Sequence, residues 1–404
     1  MKSTINIRIL FISLLMSLSP LLKAQTDGVY NVTKFGAKGN GVSDCSTAFQ
    51  RAVDAIVDDG GGQLFIPKGS FLIKKRIQVL NCPQINISIF GLGQGISTIL
   101  CDNPDGVFQF SFLKINSQFT IRDLSLFAIR PEAGTAFDFL FLRNGNAHHR
   151  ALTMQNVEMR GQNIGKDYFS IGVKADNIWR PIFTSVIFAG PFGKEISADL
   201  SKESLNYKAK AAFDVSRSYA PRFVNCYAWS AEIGYRMIDE DEQGAEDGAL
   251  LNSFAVECGV GVDVYSKSVE PQLLIDGGHY NCRDYGIKIN GRKFVNIINC
   301  LLYNVDRQSV NPNYTDIYLE NCNNIIVSAN IFQFPGNVNR QNILVGSKCF
   351  DIDIKNNRFN AVCNGVTVDK TARRVVIKDN GFAANILDKL KDNSIGGVTT
   401  DITK

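Results

Sequence analysis

One short phrase recurs between Ala211 and Phe382, and it restricts the folds open to this chain more than any other feature. Its grammar is a glycine or other residue, an apolar residue, a variable one and a second apolar one. It reads Ala212-Phe213-Asp214-Val215, Gly234-Tyr235-Arg236-Met237, Gly261-Val262-Asp263-Val264, Gly286-Ile287-Lys288-Ile289, Asp316-Ile317-Tyr318-Leu319, Asn342-Ile343-Leu344-Val345 and Gly365-Val366-Thr367-Val368. The variable residues of successive copies lie 22, 27, 25, 30, 26 and 23 positions apart. Each copy is followed by a turn and a second alternating run, such as Phe294-Val295-Asn296-Ile297-Ile298. A period of roughly 20 to 30 residues with two or three short strands and almost no helical spacing predicts a solenoid of stacked rungs. The expected fold is therefore all-β, a single-stranded parallel β-helix, right-handed by the general preference of parallel crossovers. A β-sandwich would instead show hairpin turns every ~8 to 12 residues.

A strand sends alternate side chains to opposite faces, so the two apolar positions of the phrase point inward and the variable one outward. One rung cannot bury its own inner face; stacked about 4.8 Å from its neighbours, it pairs its backbone with them and joins a continuous core. Glycine ahead of most copies is expected to supply positive φ at a corner of the coil. The phrase also occurs earlier, as Ala136-Phe137-Asp138-Phe139 and Gly172-Val173-Lys174-Ala175, among longer and less regular coils.

The first 24 residues have basic Lys2 and Arg8, an apolar run from Ile9 to Leu22 and a small residue, Ala24, before Gln25. This is the pattern of a secretory signal peptide, too short for a stable membrane span. A secreted or periplasmic protein is expected, with residues 25–404 as one β-helix domain, because a solenoid core grows lengthwise past the usual single-core limit. Cleavage would leave 40 basic against 39 acidic residues. That balance argues against a nucleic-acid partner, which would need a basic excess or stripe. The oligomeric state is open.

The segment from Tyr30 to Ile73 carries a second kind of information. Tyr30-Asn31-Val32-Thr33-Lys34-Phe35-Gly36-Ala37-Lys38-Gly39-Asn40-Gly41-Val42-Ser43-Asp44 is followed by Ala48-Phe49-Gln50, Gly60-Gly61-Gly62, Phe65-Ile66-Pro67-Lys68-Gly69 and Phe71-Leu72-Ile73. It resembles the opening of the pectate lyase superfamily module shared by rhamnogalacturonase- and epimerase-like proteins and many phage tailspikes. The resemblance implies a right-handed parallel β-helix that acts on, or binds, polysaccharide. Cys45 departs from the family pattern at a helix start. Physically the segment is a lid: Ala48, Phe49, Ala52, Val53, Ile56 and Val57 share one helical face, Asp44 or Ser43 can cap the first turn, and Gly60 can end it. Such a helix would cover the open end of the first coil.

Ten cysteines in an exported chain suggest disulfides, yet five follow asparagine, at positions 81–82, 225–226, 281–282, 299–300 and 321–322. The asparagines are read as left-handed corner residues and the cysteines as small apolar residues stacked inside as free thiols. His279 lies in Gly277-Gly278-His279-Tyr280-Asn281-Cys282-Arg283-Asp284, which faintly resembles the glycine-histidine element of polygalacturonase-like hydrolases, without that family's companion motifs. His148 and His149 fall in a polar turn beside Arg150. The run from Asp239 to Asp247 holds six carboxylates; it reads as a solvated turn, a general-acid source or a weak calcium site, and it lacks the spacing of a calcium loop. No other cofactor is implied.

Aligning the variable residues gives Asp138, Lys174, Asp214, Arg236, Asp263 and Lys288, an alternation of sign across six coils. In register on one sheet, these would form a ladder of ion pairs or the floor of a reactive groove. The expected activity is that of a polysaccharide lyase or glycoside hydrolase cleaving a uronate-containing chain; the alternative is a non-catalytic glycan-binding or surface-display protein. The candidate catalytic residues are Asp214, Arg236, Asp241, Asp263, His279 and Lys288, with Tyr265 as a further base and Asp239 as a further acid. Candidate substrate-binding residues are Tyr265, Tyr280, Arg283 and Lys174. Asp214 and Asp263, one rung apart from a common neighbour, would suit an inverting hydrolase; Arg236 or Lys288 would neutralise a uronate carboxylate in a lyase.

Overall fold

The structure, a computed structural model, describes residues 28–402 except 114–115, 143–149, 192–207, 241–245, 305–314, 334–340, 361–362 and 385. The expected signal peptide, His148, His149, Asp241 and most of the Gly190–Lys210 insertion lie outside those residues.

Every pairing among the described strands is parallel, and each strand pairs with the strand one coil before and one coil after it. Following these registers yields three ladders that run the length of a parallel β-helix. Sheet I contains Gly106–Phe112, Thr135–Phe141, Ile171–Asp176, Ala211–Ser216, Ile233–Asp239 and the later copies of the phrase through Asn364–Val368. Sheet II contains Asn86–Phe90, Arg222–Val224, Gly248–Leu251, Asn323–Ser328, Phe350–Lys355 and Arg373–Lys378. Sheet III contains Ser97–Cys101, Tyr227–Trp229, Leu301–Asn304 and their neighbours. The long strands Phe254–Asp276 and His279–Ile298 pass through corners without a break and contribute to all three.

The inward positions build one core. Phe137, Phe139, Phe213, Val215, Tyr235, Met237, Val262, Val264, Ile287 and Ile289 are all buried. Like side chains stack along the axis: Phe108 on Phe137 at 5.4 Å, Phe213 on Tyr235 at 5.1 Å, Phe332 on Phe359 at 4.7 Å. All ten cysteines are free, and all but Cys82 are buried. The corner from sheet II to sheet III is a single left-handed residue, with Asn156, Asn225, Asn252, Asn299 and Asn356 at φ of 46 to 57°. Asparagine tolerates that geometry. Four of the five Asn-Cys asparagines adopt it, whereas Asn281 lies within the strand His279–Ile298 and is not among the positive-φ residues.

The glycines of the phrase need a different explanation from the one expected. Gly172, Gly234, Gly261, Gly286 and Gly365 do not have positive φ. A Cβ on Gly261 would lie 2.4 Å from the Gly286 carbonyl oxygen, and one on Gly234 2.6 Å from that of Gly261. The requirement is close approach of the next coil, not left-handed backbone.

At the N-terminal end the helix Ser46–Asp58 buries Ala48, Phe49, Ala52, Val53 and Ile56 against the first coil, with Phe49 5.8 Å from Phe71. Asp44 accepts hydrogen bonds from the Ser46 amide at 2.9 Å and from its hydroxyl, satisfying part of the open first turn. Gly60 and Gly61 follow at positive φ and return hydrogen bonds to Val57 and Ile56.

Candidate functional site on sheet I

The outward residues of the phrase fall in one row. Gln109 pairs with Asp138, Asp138 with Lys174, Lys174 with Asp214, Asp214 with Arg236, Arg236 with Asp263, Asp263 with Lys288 and Lys288 with Tyr318. Alternation of sign along the sequence is therefore alternation of sign along the axis. Two of the steps close as ion pairs: Arg236 Nη1 is 3.1 Å from Asp214 Oδ2, and Lys288 Nζ is 3.5 Å from Asp263 Oδ1. The cations stay 38% and 37% exposed while their carboxylates sit deeper, so each pair presents its positive end to solvent. Ser216 Oγ donates to the other oxygen of Asp214 at 2.7 Å, and Gln109 Nε2 donates to Asp138 at 3.0 Å. Lys174 has no ion-pair partner among the described residues.

Beside this row lies a second outward row, in which Ile238 pairs with Tyr265 and Tyr265 with Asn290. A cavity of about 370 Å³ opens between Arg236, Ser216, Ile238, Arg217 and Glu240. Arg217 is anchored by two 2.7 Å hydrogen bonds to Asp176. Arg217 and Ser216 were not anticipated, and Glu240 only as a member of the acidic run; Ser216 sits two residues beyond Asp214, the same spacing that places Tyr265 two beyond Asp263, and that parity was the available signal. Beyond Lys288 the row loses its charge, continuing as Tyr318, Leu344 and Thr367. The Lys288 ammonium lies 5.8 Å from the Tyr285 ring centre, Tyr285 stands 5.8 Å from Tyr318, and Tyr318 donates to Glu320 at 2.8 Å.

Other anticipated residues are elsewhere. His279 is on sheet III, not beside Asp263: it pairs with Leu301, and its ring lies 4.8 Å from that of Tyr303. Burial pushes its imidazole below the ordinary value. Tyr280 is in the core, fully buried, because it is the inward neighbour of outward His279, so it offers nothing to a substrate. Arg283 is buried in the passage from sheet III to sheet I. Asp239 is also buried: the strand Ile233–Asp239 alternates, so Ile238 faces out and Asp239 in. It cannot reach the outer face as an acid. Asp239 pairs with Ser266, and Arg292 is buried at the same corner, where desolvation lowers its guanidinium to about 10. Asp241 and the middle of the acidic run lie outside the described residues; among the described ones no cluster of three or more His, Cys, Asp or Glu is placed to hold a metal ion.

An exposed row with cations held at fixed spacing can bind a polyanion along the axis, and a hydroxyl such as that of Tyr265 beside it can exchange protons with a bound chain. No helix among the described residues is long and apolar enough to cross a membrane.

Residues 29–103 match the family described as rhamnogalacturonase A/epimerase, pectate lyase-like. The chain is 32% identical over 142 residues to mannuronan C5-epimerase AlgE2 of Azotobacter vinelandii, which is 32% of this chain and 14% of that protein. It is 28% identical over 144 residues to alginate lyase 7 of the same organism, 32% of this chain and 17% of that one. Across the curated relatives that match, the shared segment spans 8 to 26% of their length. Among solved structures, the A-module of mannuronan C-5 epimerase AlgE4 from Azotobacter vinelandii superposes with a TM-score of 0.65 at 16% identity, over 93% of this chain and 100% of that one. The AlgE6 A-module gives 0.61 at 16% identity, over 93% and 100%. The chain thus folds as a parallel β-helix, and its residues 29–103 match the rhamnogalacturonase A/epimerase, pectate lyase-like family.

Proposed function

We propose that this protein is exported and acts on a uronate-containing polysaccharide laid along sheet I, removing the proton at C5, the carbon that bears the carboxylate. The single observation that carries the reading is the in-register row Asp138–Lys174–Asp214–Arg236–Asp263–Lys288. Its cations recur at every second coil, about 9.6 Å apart, alternating with carboxylates, two of which hold Arg236 and Lys288 in place. The partial match to epimerases and a lyase named for mannuronan and alginate supports the same substrate class.

In this reading Lys174, Arg236 and Lys288 receive substrate carboxylates. A cation against the carboxylate stabilises the negative charge that develops as the C5 proton leaves. Tyr265, partly exposed one row away, is the base; Lys288 is less suited because its ammonium is already paired with Asp263. The resulting carbanion has two exits. Expulsion of the oxygen at C4 cleaves the chain and leaves an unsaturated end, whereas return of a proton from the opposite face inverts C5 without cleavage. A hydrolase of the inverting type is less well supported, because it needs one carboxyl as a proton donor, and Asp214 and Asp263 both stand against cations.

The experiment is incubation with mannuronate and galacturonate oligosaccharides in heavy water. Deuterium at C5 is the expected result if the carbanion is re-protonated, and ultraviolet-absorbing unsaturated ends if the C4 oxygen is expelled. Asp263→Asn and Lys288→Ala are each expected to reduce exchange by about tenfold or more with folding unchanged. New reducing ends with neither C5 deuterium nor unsaturated ends would identify a hydrolase, and binding without reaction would leave the glycan-binding alternative.

A further inference from the structure

On sheet II, away from the charged row, a groove of about 580 Å³ runs across four successive coils. Its floor is the in-register row Asn296, Ile326, Asp353 and Val376. Its rim is the row two residues earlier, Phe294, Asn324, Asp351 and Arg374, all at left-handed φ of 51 to 56°. Asparagine and aspartate adopt that conformation at low cost, and a bulky apolar residue does not. Phe294 nevertheless occupies it with its ring 54% exposed, and Ile326 in the next coil is 45% exposed. Both lie on a face where neighbouring coils carry polar groups, so the coil fold itself does not require them.

The charges in the groove are already neutralised. Arg374 Nη2 is 2.7 Å from Asp351 Oδ2, and Lys355 Nζ is 2.7 Å from Asp353 Oδ2. What remains for a ligand is apolar surface and carboxamide. Asn296 has no side-chain partner among the described residues. Asn324 Nδ2 donates to Asn323, which leaves its own oxygen as an acceptor. An exposed aromatic ring flanked by carboxamides, without net charge, complements a pyranose, whose C–H face is apolar and whose rim is hydroxyl. The volume falls in the range of about 300 to 1,000 Å³ typical of small-molecule sites. A polyanion is disfavoured here because Asp351 and Asp353 are 37% and 38% exposed beside their cations, whereas the paired carboxylates of sheet I are only 10% and 15% exposed.

We infer that this groove is a binding site for a neutral oligosaccharide, with Phe294 under one sugar ring and Asn296 and Asn324 on its hydroxyls. It does not depend on the reaction assigned to sheet I; it would hold a neutral stretch of glycan while the charged row engages uronates.

The test is calorimetric titration of the full chain with neutral gluco-, manno-, galacto- and xylo-oligosaccharides of six residues. At least one is expected to bind with a dissociation constant of about millimolar or tighter. Phe294→Asn, which places a residue at ease with left-handed φ and copies the next coil, is expected to weaken that binding by about tenfold or more without lowering the melting temperature or changing any C5 exchange on uronates. Lys288→Ala is expected to leave it unaltered. The inference is overturned if none of these saccharides binds at millimolar concentration, if Phe294→Asn leaves binding intact, or if Lys288→Ala abolishes it. It is equally overturned if the chain self-associates through this face, seen as dimers in sedimentation that Phe294→Asn dissolves.

Discussion

The cysteines show most plainly what the interior of the coils does to a titratable side chain. Burial pushes the thiols of Cys101, Cys226, Cys258 and Cys300 up to about 12 and raises that of Cys282 well above its ordinary value, so none of them offers a thiolate near neutrality. A thiol reagent at pH 8 is expected to label the folded protein at Cys82 alone and all ten cysteines after unfolding without reductant. Fewer than ten in the unfolded state would reveal disulfides, and several fast sites in the folded state would contradict the stacked interior. His279 gives a second test at this scale. Its partly buried ring favours the neutral form, so its folded pKa lies below the ordinary value of about 6.5. Stability tied to neutral His279 is fully present above that ordinary value and is lost as pH falls toward and through the folded one. The imidazole proton signal of His279, assigned by its loss in His279→Gln, should titrate below about 6.5. A midpoint above that value would place the ring in solvent or against a carboxylate.

Among the elements, the helix Ser46–Asp58 has the clearest mechanical role. Among the described residues no coil precedes the first, and the helix covers its apolar end with Phe49 and Ile56. Phe49→Ala is expected to destabilise the protein by about 3 to 5 kcal/mol, the range for deleting a buried aromatic ring. Asp44→Ala should cost about 1 kcal/mol, because the Ser46 amide in the first turn loses its acceptor. Burial alone would raise the Asp44 carboxyl, but the hydrogen bonds from Ser46 outweigh it and the net shift is downward. This contribution is therefore present above the ordinary aspartate value of about 3.9 and is lost as pH falls through the lower folded one. Urea melts of the two variants at neutral pH and near pH 3 measure both effects; an Asp44→Ala deficit that persists undiminished in acid would show that the cap does not act through its charge. The buried face of this element was readable, because a helical face in an otherwise strand-patterned chain stands out, although Cys45 and not Asp44 or Ser43 is the N-cap residue and Val57 is only half-buried. The corners were less readable. Gly277 and Gly278 turn the chain just before His279, and the strand that follows passes through two further corners without a break, so counting alternate residues from Lys288 back to His279 does not show which sheet each belongs to.

At the scale of the whole molecule, the solenoid was legible because stacking imposes one rule on every coil: two inward apolar residues around one outward residue. The same rule made the charged row legible from Asp138 to Lys288, since positions of the phrase that align in sequence also pair in space. What alignment could not supply was the traffic across the row. Arg217, Ser216 and Glu240 join Arg236 around the cavity, and Arg217 reaches it from a corner outside the phrase. The parity of the phrase did carry the inward position of Asp239, since Arg236 and Ile238 face out and Met237 and Asp239 face in, and its candidacy as an acid overlooked that. The two ion pairs on the row are partly exposed, and pairs of that kind contribute only about 0.2 to 1 kcal/mol each, so the alternation is poorly explained as a source of stability. The central claim is that this row is where an acidic polysaccharide lies, and a crystal structure of the chain with a bound uronate hexasaccharide tests it most directly. The account predicts the sugar along the axis of sheet I, with carboxylates against Lys174, Arg236 or Lys288 and Tyr265 beside a C5 carbon. An oligosaccharide seated on sheet II or sheet III, with sheet I bare, would contradict it.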